Sequence, residues 1–529
     1  MFCVNALRCS LSSLATTLSL ILALGASLNS LDAWAQNNPA QERSVQAKSP
    51  PVKATQTPPT AKLPAPFEAF RRAGIPLADV SLFAAPVDEG DPVIAHNADQ
   101  SFILASTAKL VTSMAALDIL GPGYRWRTTA YLNGALVDGV LTGDLLIVGG
   151  GDPILTSDKL RAWFVLMQKR GLKEITGNIV LDRRRFSLIE KDHVNTPVPA
   201  WYNPHHAQPD ALVIDEGVLN VLIDSGPQGK TFQLEPNIDG IELVDQTKTV
   251  SKCSLVRKPL SVDFEEGSRN RKLLLSGEWA QDCTALKLAT SPWDQTEFSS
   301  AAILAAWKQA GGKLSGAVLE AAEPPKLIQA KRGKRAMKAP RARKPFLVLE
   351  SKPLAESVRE TNKWSNNLVS RHLLLSLSTH FPREAATLQN AQQVLAQWLL
   401  QKGITTEDMT VENGSGLSRN ERAKARIFSS LLKEAWSAKY EKDFKASLPI
   451  VGVDGTMASR LKQSLANGRA WIKTGTLNDV RSVAGYVTTK DSKTYTLVAI
   501  VNHANANRAV PALDAFIEWL QTGAPATEK

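Results

Sequence analysis

Long apolar runs are almost missing from this sequence. Beyond Leu28 no stretch of about 18 or more apolar residues occurs, which excludes a later transmembrane helix. Histidine is sparse, at seven residues, and the adjacent pair His205-His206 has no third ligand nearby, so no metal or other cofactor is expected. No Gly-x-Ser-x-Gly elbow occurs, which leaves an α/β-hydrolase triad without support. There is no internal repeat. Cysteine is scarce: of four residues, Cys3 and Cys9 stand in the N-terminal segment and leave only Cys253 and Cys283.

What the N-terminus does have is an address. Met1–Arg8 carries one basic residue, an apolar segment runs from about Leu11 to Leu28, and Ala33-Trp34-Ala35 offers small residues where a signal peptidase reads. The expectation is a signal peptide over 1–35, cleaved before Gln36, and a periplasmic protein; an uncleaved membrane anchor is the alternative. The remaining 494 of the 529 residues suggest about two to four domains. In an oxidising compartment Cys253 and Cys283 read as a disulfide, with two buried free thiols as the alternative. Closing that loop would contribute about 3–4 kcal/mol in the chain-entropy view.

The formal charge of +11 is local. Nine basic residues and no acidic one lie between Lys326 and Lys344, and without them only +2 remains. Such a run reads as a solvated loop, or as a dock for an anionic surface such as lipid headgroups or cell-wall polymer. Nucleic acid is not expected, because no aromatics interleave with these charges.

Residues 36 to about 65 are rich in Pro, Ala, Gln and Lys, have little to bury, and are expected to form a disordered linker. Val80–Pro86 and Pro92–His96 flank the turn residues Asp88-Glu89-Gly90-Asp91, the pattern of a β-hairpin. A helix opening near Ser106 stops at Gly121-Pro122-Gly123. From Tyr124 to about Pro324, short strand-like runs (Thr128–Leu132, Leu145–Val148, Ile179–Leu181, Val218–Ile223, Lys272–Gly277) alternate with turn signals, and one helix, about Lys159–Arg170, interrupts them. Phe346–Glu350 is strand-like. Helical texture returns at Leu354–Leu377, Ala386–Lys402 and Ala425–Ala438. Three strands follow, at Ala470–Lys473, Ser482–Thr489 and Thr494–His503, and Pro511–Leu520 closes the chain as an amphipathic helix. Five strands with helices for both faces are thus drawn from the two ends of the chain, so the domain they build is expected to be discontinuous.

The chemistry starts at Ser106 and Lys109. On a helix these positions share a face about 5–6 Å apart at Cβ, within reach of amine and hydroxyl. A serine needs a neighbouring base to become a nucleophile, and a lysine serves if desolvation or another cation lowers its pKa. Ser-x-x-Lys recurs at Ser430/Lys433 and Ser459/Lys462, which read as solvated helix faces. The first pair differs in its company: Ser365-Asn366-Asn367 inside a helical stretch, and Lys473-Thr474-Gly475-Thr476 on a strand, where Lys-Thr-Gly occurs once.

In this order the three segments resemble the signature of serine penicillin-binding proteins and class A-type β-lactamases. The 259 residues from Ser106 to Ser365 exceed what β-lactamases have. With Gly151-Asp152-Pro153, Glu412-Asn413-Gly414-Ser415-Gly416-Leu417-Ser418-Arg419 and Val453-Asp454-Gly455-Thr456, residues 65 to 522 are similar to the D-alanyl-D-alanine carboxypeptidase/endopeptidase family, the class C low-molecular-mass penicillin-binding proteins. The linker and the basic stretch depart from it. No counterpart of the family's acidic contact to the substrate's diamino-acid end is evident around Trp201-Tyr202-Asn203-Pro204.

The resemblance implies Ser106 as nucleophile, Lys109 as its base with the Lys473 cation lowering its pKa, and Ser365 as proton relay to the leaving amine. Asn367 would bind the substrate's amide, and Lys473, Thr474 and Thr476 would seat the terminal carboxylate. Gly475 would let the strand approach the ligand, and the N–H groups of Ser106 and Thr476 would form the oxyanion hole. Glu216-Gly217-Val218-Leu219-Asn220 matches the segment carrying the deacylating glutamate of class A β-lactamases, but it precedes Ser365 and lies in the β-rich region, so that role is not expected. Gly414-Ser415-Gly416 reads as a structural loop near the cleft.

The expected fold is α/β (α+β): a DD-peptidase/β-lactamase-like domain over 66–123 and 345–522, with a five-stranded antiparallel sheet covered by helices. It is interrupted by an inserted β-rich region of one or two domains (124–325) and the basic loop 326–344, and followed by a tail at 523–529. The expected function is serine-type D-Ala-D-Ala carboxypeptidase or DD-endopeptidase action on peptidoglycan stem peptides through an acyl-enzyme, with β-lactams as covalent inhibitors. A β-lactamase-like hydrolase and an inactive cell-wall-binding protein are the alternatives.

Overall fold

A computed structural model of the chain describes residues 65–522, apart from 194–206, 227–228, 265–271, 292–293, 323–327, 330–340, 343, 379 and 382. The signal peptide, the linker to residue 64, His205-His206, the 201–204 segment, most of the basic stretch and the 523–529 tail lie outside the described residues.

Five strands, β1 (Val80–Pro86), β2 (Ile94–His96), β3 (Ala470–Leu477), β4 (Val480–Thr488) and β5 (Thr494–Asn502), pair antiparallel in the order β2-β1-β5-β4-β3. Residues 483–487 of β4 and 497–501 of β5 are apolar without a break because both faces are covered. Ala484, Tyr486, Val498 and Ile500 point into one core, and Val483, Val487, Leu497, Ala499 and Val501 into another. Burying each large apolar side chain of this kind is worth about 1.5–3 kcal/mol.

Ten helices are described: α1 (Ala65–Arg72), α2 (Ala108–Leu120), α3 (Ser157–Lys169), α4 (Gln295–Gln309), α5 (Leu354–Trp364), α6 (Asn367–Ser376), α7 (Leu388–Gln401), α8 (Ala425–Trp436), α9 (Glu441–Ser447) and α10 (Val510–Gln521). Phe70 of α1 and Leu513, Phe516 and Leu520 of α10 cover one face of the sheet. On the other face α8 lies against β1 and β5 through Phe428, in a core that also holds Met114 of α2 and Leu395 of α7. Helix α2 is buried over ten consecutive residues, Ala108–Leu117, and runs through the middle of that core. It stops where Gly121 takes φ 82°.

Residues 124–350 build a core of their own around Trp163, Phe164, Ile179 and Trp307. Arg127–Val137 and Val140–Val148 form a hairpin through Asp138-Gly139, both at positive φ as a tight turn between twisted strands needs. Leu347–Glu350 pairs back onto Arg127–Ala130, so the chain leaves this region beside its point of entry. A disulfide joins Cys253 and Cys283, with Cα atoms 5.0 Å apart.

Two sequence expectations are corrected. The region holds a second helix, α4, whose buried Phe298, Ser299, Ala302, Ile303, Ala305, Ala306 and Trp307 include too many small side chains to give a clear periodicity. Leu354–Leu377 is not one helical stretch. It breaks at Ser365, which takes a left-handed conformation (φ 62°, ψ 34°), and Asn366 restarts the chain as the N-cap of α6, accepting Val369 N–H at 3.0 Å.

Candidate active site

The corner that carries Ser106 is strained and firmly tied. Ala105 takes φ 48°, a conformation unfavourable for any residue with a Cβ. It turns the chain from the Ser101–Ile103 strand into one 3-10 turn, Ala105–Thr107, that continues directly as α2. Leu104 O accepts from Thr107 Oγ1 at 2.7 Å and from Ser482 Oγ of β4 at 2.6 Å. Ser106 is half-buried there, and Lys109 Nζ lies 3.0 Å from Ser106 Oγ.

Lys109 is fully buried, with Asn367 Oδ1 2.7 Å from Nζ and the Ser415 carbonyl also in contact. Burial lowers its pKa to about 7, while the carboxylate of Glu421 acts in the opposite sense. Of the two causes the sequence suggests, desolvation and the Lys473 cation, burial is the one that lowers it. Lys473, also fully buried, is held well below its ordinary value by burial and then by Lys109. It donates to Ser365 Oγ at 2.9 Å and to Thr474 O at 2.7 Å.

Ser365 owes its position to the break between α5 and α6. One residue before Trp364, Lys363 donates to both oxygens of Asp454 (2.7 and 2.6 Å) and to Leu448 O at 2.6 Å. Thr456, two residues past Asp454, meets Thr474 Oγ1 at 2.9 Å. One ion pair therefore holds the end of α5 to the loop that borders β3.

Gly475 is needed where it stands. A Cβ there would lie 2.2 Å from Ser482 Oγ, 2.9 Å from Leu104 O and 3.0 Å from the amide nitrogen of Ser106. The close approach it permits is to the chain's own corner, not only to a ligand. Thr476, one residue on, is exposed.

Residues 72–522 match the D-Ala-D-Ala carboxypeptidase 3 (S13) family. The chain belongs to that family. It is 23% identical over 436 residues to the D-alanyl-D-alanine carboxypeptidase DacB of Haemophilus influenzae, covering 80% of this chain and 85% of the relative. It is 25% identical over 448 residues to the D-alanyl-D-alanine carboxypeptidase of Actinomadura sp., covering 81% and 78%. The crystal structure of penicillin-binding protein 4 (dacB) from Haemophilus influenzae superposes with a TM-score of 0.66 at 22% identity, over 86% of this chain and 98% of that one. This likeness shows that the fold is shared.

In this S13 chain Ser106, Lys109 and Asn367 form one hydrogen-bonded group and Ser365, Lys473 and Thr474 a second; the two lysines act on each other electrostatically, and Gly475 backs onto the Ser106 amide. Sequence reasoning missed Glu421. Its fully buried carboxylate accepts the amides of Glu412 (3.1 Å), Asn413 (3.0 Å), Gly414 (2.7 Å) and Gly416 (2.5 Å). Burial pushes the Glu421 carboxyl up; those amides and Lys109 work against this and favour the carboxylate. The signal available was one of two glutamates bounding a Gly-Ser-rich loop, whose partners are backbone amides that leave no pattern. Asp454 and Thr456 stood in a quoted motif, but without a role. Ser415 offers its carbonyl to Lys109 and gives its hydroxyl to Asn413 at 2.6 Å, as a structural loop residue. Among the described residues no cluster could hold a metal, and no helix is long and apolar enough to cross a membrane.

Proposed function

We propose that this chain removes the terminal D-alanine of peptidoglycan stem peptides, or cuts D-alanyl cross-links, through an acyl-enzyme on Ser106. The 3.0 Å separation of Lys109 Nζ and Ser106 Oγ, inside a site that lowers the amine to about 7, carries this reading. A neutral amine has two N–H bonds and one lone pair. Asn367 Oδ1 and Ser415 O take the two hydrogens, which leaves the lone pair for the Ser106 proton.

Ser106 Oγ attacks the carbonyl of the penultimate D-alanine as its proton passes to Lys109. The oxyanion faces the N–H groups of Ser106 and Thr476; in other hydrolases one such donor is worth about 3–4 kcal/mol. The C–N bond then breaks as Ser365, hydrogen-bonded to Lys473, gives its hydroxyl proton to the leaving amine; the proton that Lys109 took from Ser106 replaces it, and Lys109 is neutral again. The substrate's carboxylate sits against Lys473, Thr474 and Thr476, and its charge favours the lysine cation. Asn367 holds the substrate's amide. Water attacks the ester in the second half: Lys109 takes one of its protons and returns it to Ser106 Oγ as the ester bond breaks.

The test is mass spectrometry of the protein with benzylpenicillin, together with assay of D-alanine release. One covalent adduct on the Ser106 peptide, lost with release activity in Ser106→Ala, is expected. An adduct that persists in Ser106→Ala overturns the assignment. Rapid turnover of the adduct favours a β-lactamase, and binding to murein without any adduct favours an inactive wall-binding protein.

The same reading extends to address and organisation. We assign residues 1–35 to a signal peptide cleaved before Gln36, with the mature protein in the periplasm, and residues 124–325 to an insertion within a discontinuous peptidase domain over 66–123 and 345–522. The basic 326–344 stretch would touch an anionic surface. Deleting 327–344 should weaken salt-sensitive sedimentation with murein sacculi or anionic vesicles, and unchanged sedimentation at low salt would dismiss that contact.

A further inference from the structure

Glu216 entered the sequence reading as a rejected match, in a region remote from the chemistry. The fold returns it to the site in another capacity. Asp215, Glu216 and Gly217 take φ of 46°, 57° and 71°, a left-handed run that is unfavourable for its two non-glycine members. The run is pinned from several sides. Ser157 N donates to the Asp215 carboxylate at 3.1 Å, Asp215 N donates to Leu155 O at 2.9 Å, and Ser291 Oγ donates to Gly217 O at 3.0 Å.

What this strained turn delivers is one contact. Glu216 Oε2 accepts from Asn366 Nδ2 at 2.7 Å. Asn366 stands between the two residues that touch the buried lysines: Ser365 on Lys473 at 2.9 Å and Asn367 on Lys109 at 2.7 Å. Its other side-chain atom, Oδ1, caps α6 on Val369 N. The same region grips α6 further along. Arg371 donates to Gln208 Oε1 at 2.7 Å, and buried His372 bridges Gly151 O (3.1 Å) and Asp210 N–H (3.2 Å). Burial, with Glu360 and Asp215 nearby, raises the Glu216 carboxyl, so this group is placed at a cost unless its contact is used.

We propose that Glu216 is a positioning residue for the Ser365–Asn367 segment. By fixing the Asn366 amide it sets where Ser365 Oγ and Asn367 Oδ1 lie relative to the two lysines, and so makes the 124–325 region part of the active site. This rests on the acyl-enzyme reading above. It differs from a deacylating-base role, since the carboxylate is engaged with Asn366 and acts on the segment's position.

The test measures acylation by benzylpenicillin and loss of the adduct in five proteins. Wild type gives the reference rates, and complete absence of an adduct there overturns both readings. Glu216→Ala should slow acylation by about ten- to a hundredfold. Glu216→Gln, whose carbonyl oxygen still accepts from Asn366, should recover acylation to within about threefold while losing its adduct at the wild-type rate. Asn366→Asp keeps the cap but sets two carboxylates against each other, and should acylate slowly. Adding Glu216→Gln to Asn366→Asp restores a donor–acceptor pair with reversed polarity and should recover the rate. A folded Glu216→Ala protein with wild-type acylation overturns the proposal, as does a Glu216→Gln adduct that forms normally but persists, the mark of a deacylating base. Should Glu216→Ala not fold, the Asn366→Asp pair decides: equal impairment with and without Glu216→Gln overturns it.

Discussion

Lys109 and Glu421, both fully buried, meet from opposite sides of the 412–416 loop: Lys109 donates to the Ser415 carbonyl while Glu421 collects four of the loop's amides. The loop is thus stretched between a cation site and an anion. Burial lowers Lys109 to about 7, and only the neutral amine can accept the Ser106 proton. The neutral fraction grows as pH rises, so acylation should climb about tenfold per unit below that value and level off above it. Rates of adduct formation with benzylpenicillin between about pH 5 and 9 check this. A flat profile across that range would remove Lys109 from the role of base.

Glu421→Gln separates the two ends of that arrangement. A glutamine has one acceptor oxygen and would turn an NH2 group toward an amide, leaving at least one of the four donors unpaired. Stability should fall by about 2–3 kcal/mol, read from urea unfolding. The Glu421 charge raises the Lys109 pKa, so its removal should lower it further and move the acid limb of acylation to lower pH. A limb that stays put or moves upward would show that the charge is not felt at the amine.

The Lys363–Asp454 pair holds the end of α5, beside Ser365, by a different means. Lys363 is 3% exposed, and burial lowers its pKa against the pull of Asp454. Asp454→Asn should leave that ammonium without its counter-charge, at about 3 kcal/mol in stability. Acylation should fall as well, because Ser365 and Thr456 lose a shared anchor. Thermal melts and adduct rates on the same preparation test both. A stability loss with unchanged acylation would make the pair a structural feature alone.

These positions differ in how far the sequence revealed them. β4 and β5 were legible because both faces are buried, so their apolar runs stand out between turn signals. Ser106 and Lys109 were legible because helical spacing alone brings i and i+3 together. The break at Ser365 was not. A left-handed serine leaves no mark, and Asn366 reads as a cap only once α6 is known to start there. Glu421 and Glu216 were unreadable for a related reason: one binds backbone amides, and the other reaches a partner 150 residues away. Motifs report side chains that meet the substrate, while the groups holding them are visible only in three dimensions.

Gly475 joins these two kinds of residue. It belongs to a readable motif, yet its neighbours show a requirement that the motif does not state. A methyl group there would lie 2.2 Å from Ser482 Oγ, inside any tolerable contact. Ser482 cannot simply turn away, because its hydroxyl holds Leu104 O at 2.6 Å and so fixes the strained corner before Ser106. Gly475→Ala must therefore push β3 outward or loosen that corner. Overpacking of this kind costs about 1–3 kcal/mol, which a protein with two apolar cores flanking the sheet should survive. Displacing the Ser106 amide or Thr476 by about 1 Å should cost about a hundredfold in acylation. A folded Gly475→Ala protein is expected, with near-normal melting and little adduct. Wild-type acylation in that variant would mean that β3 has room for the methyl group and that neither the corner nor the ligand requires the glycine.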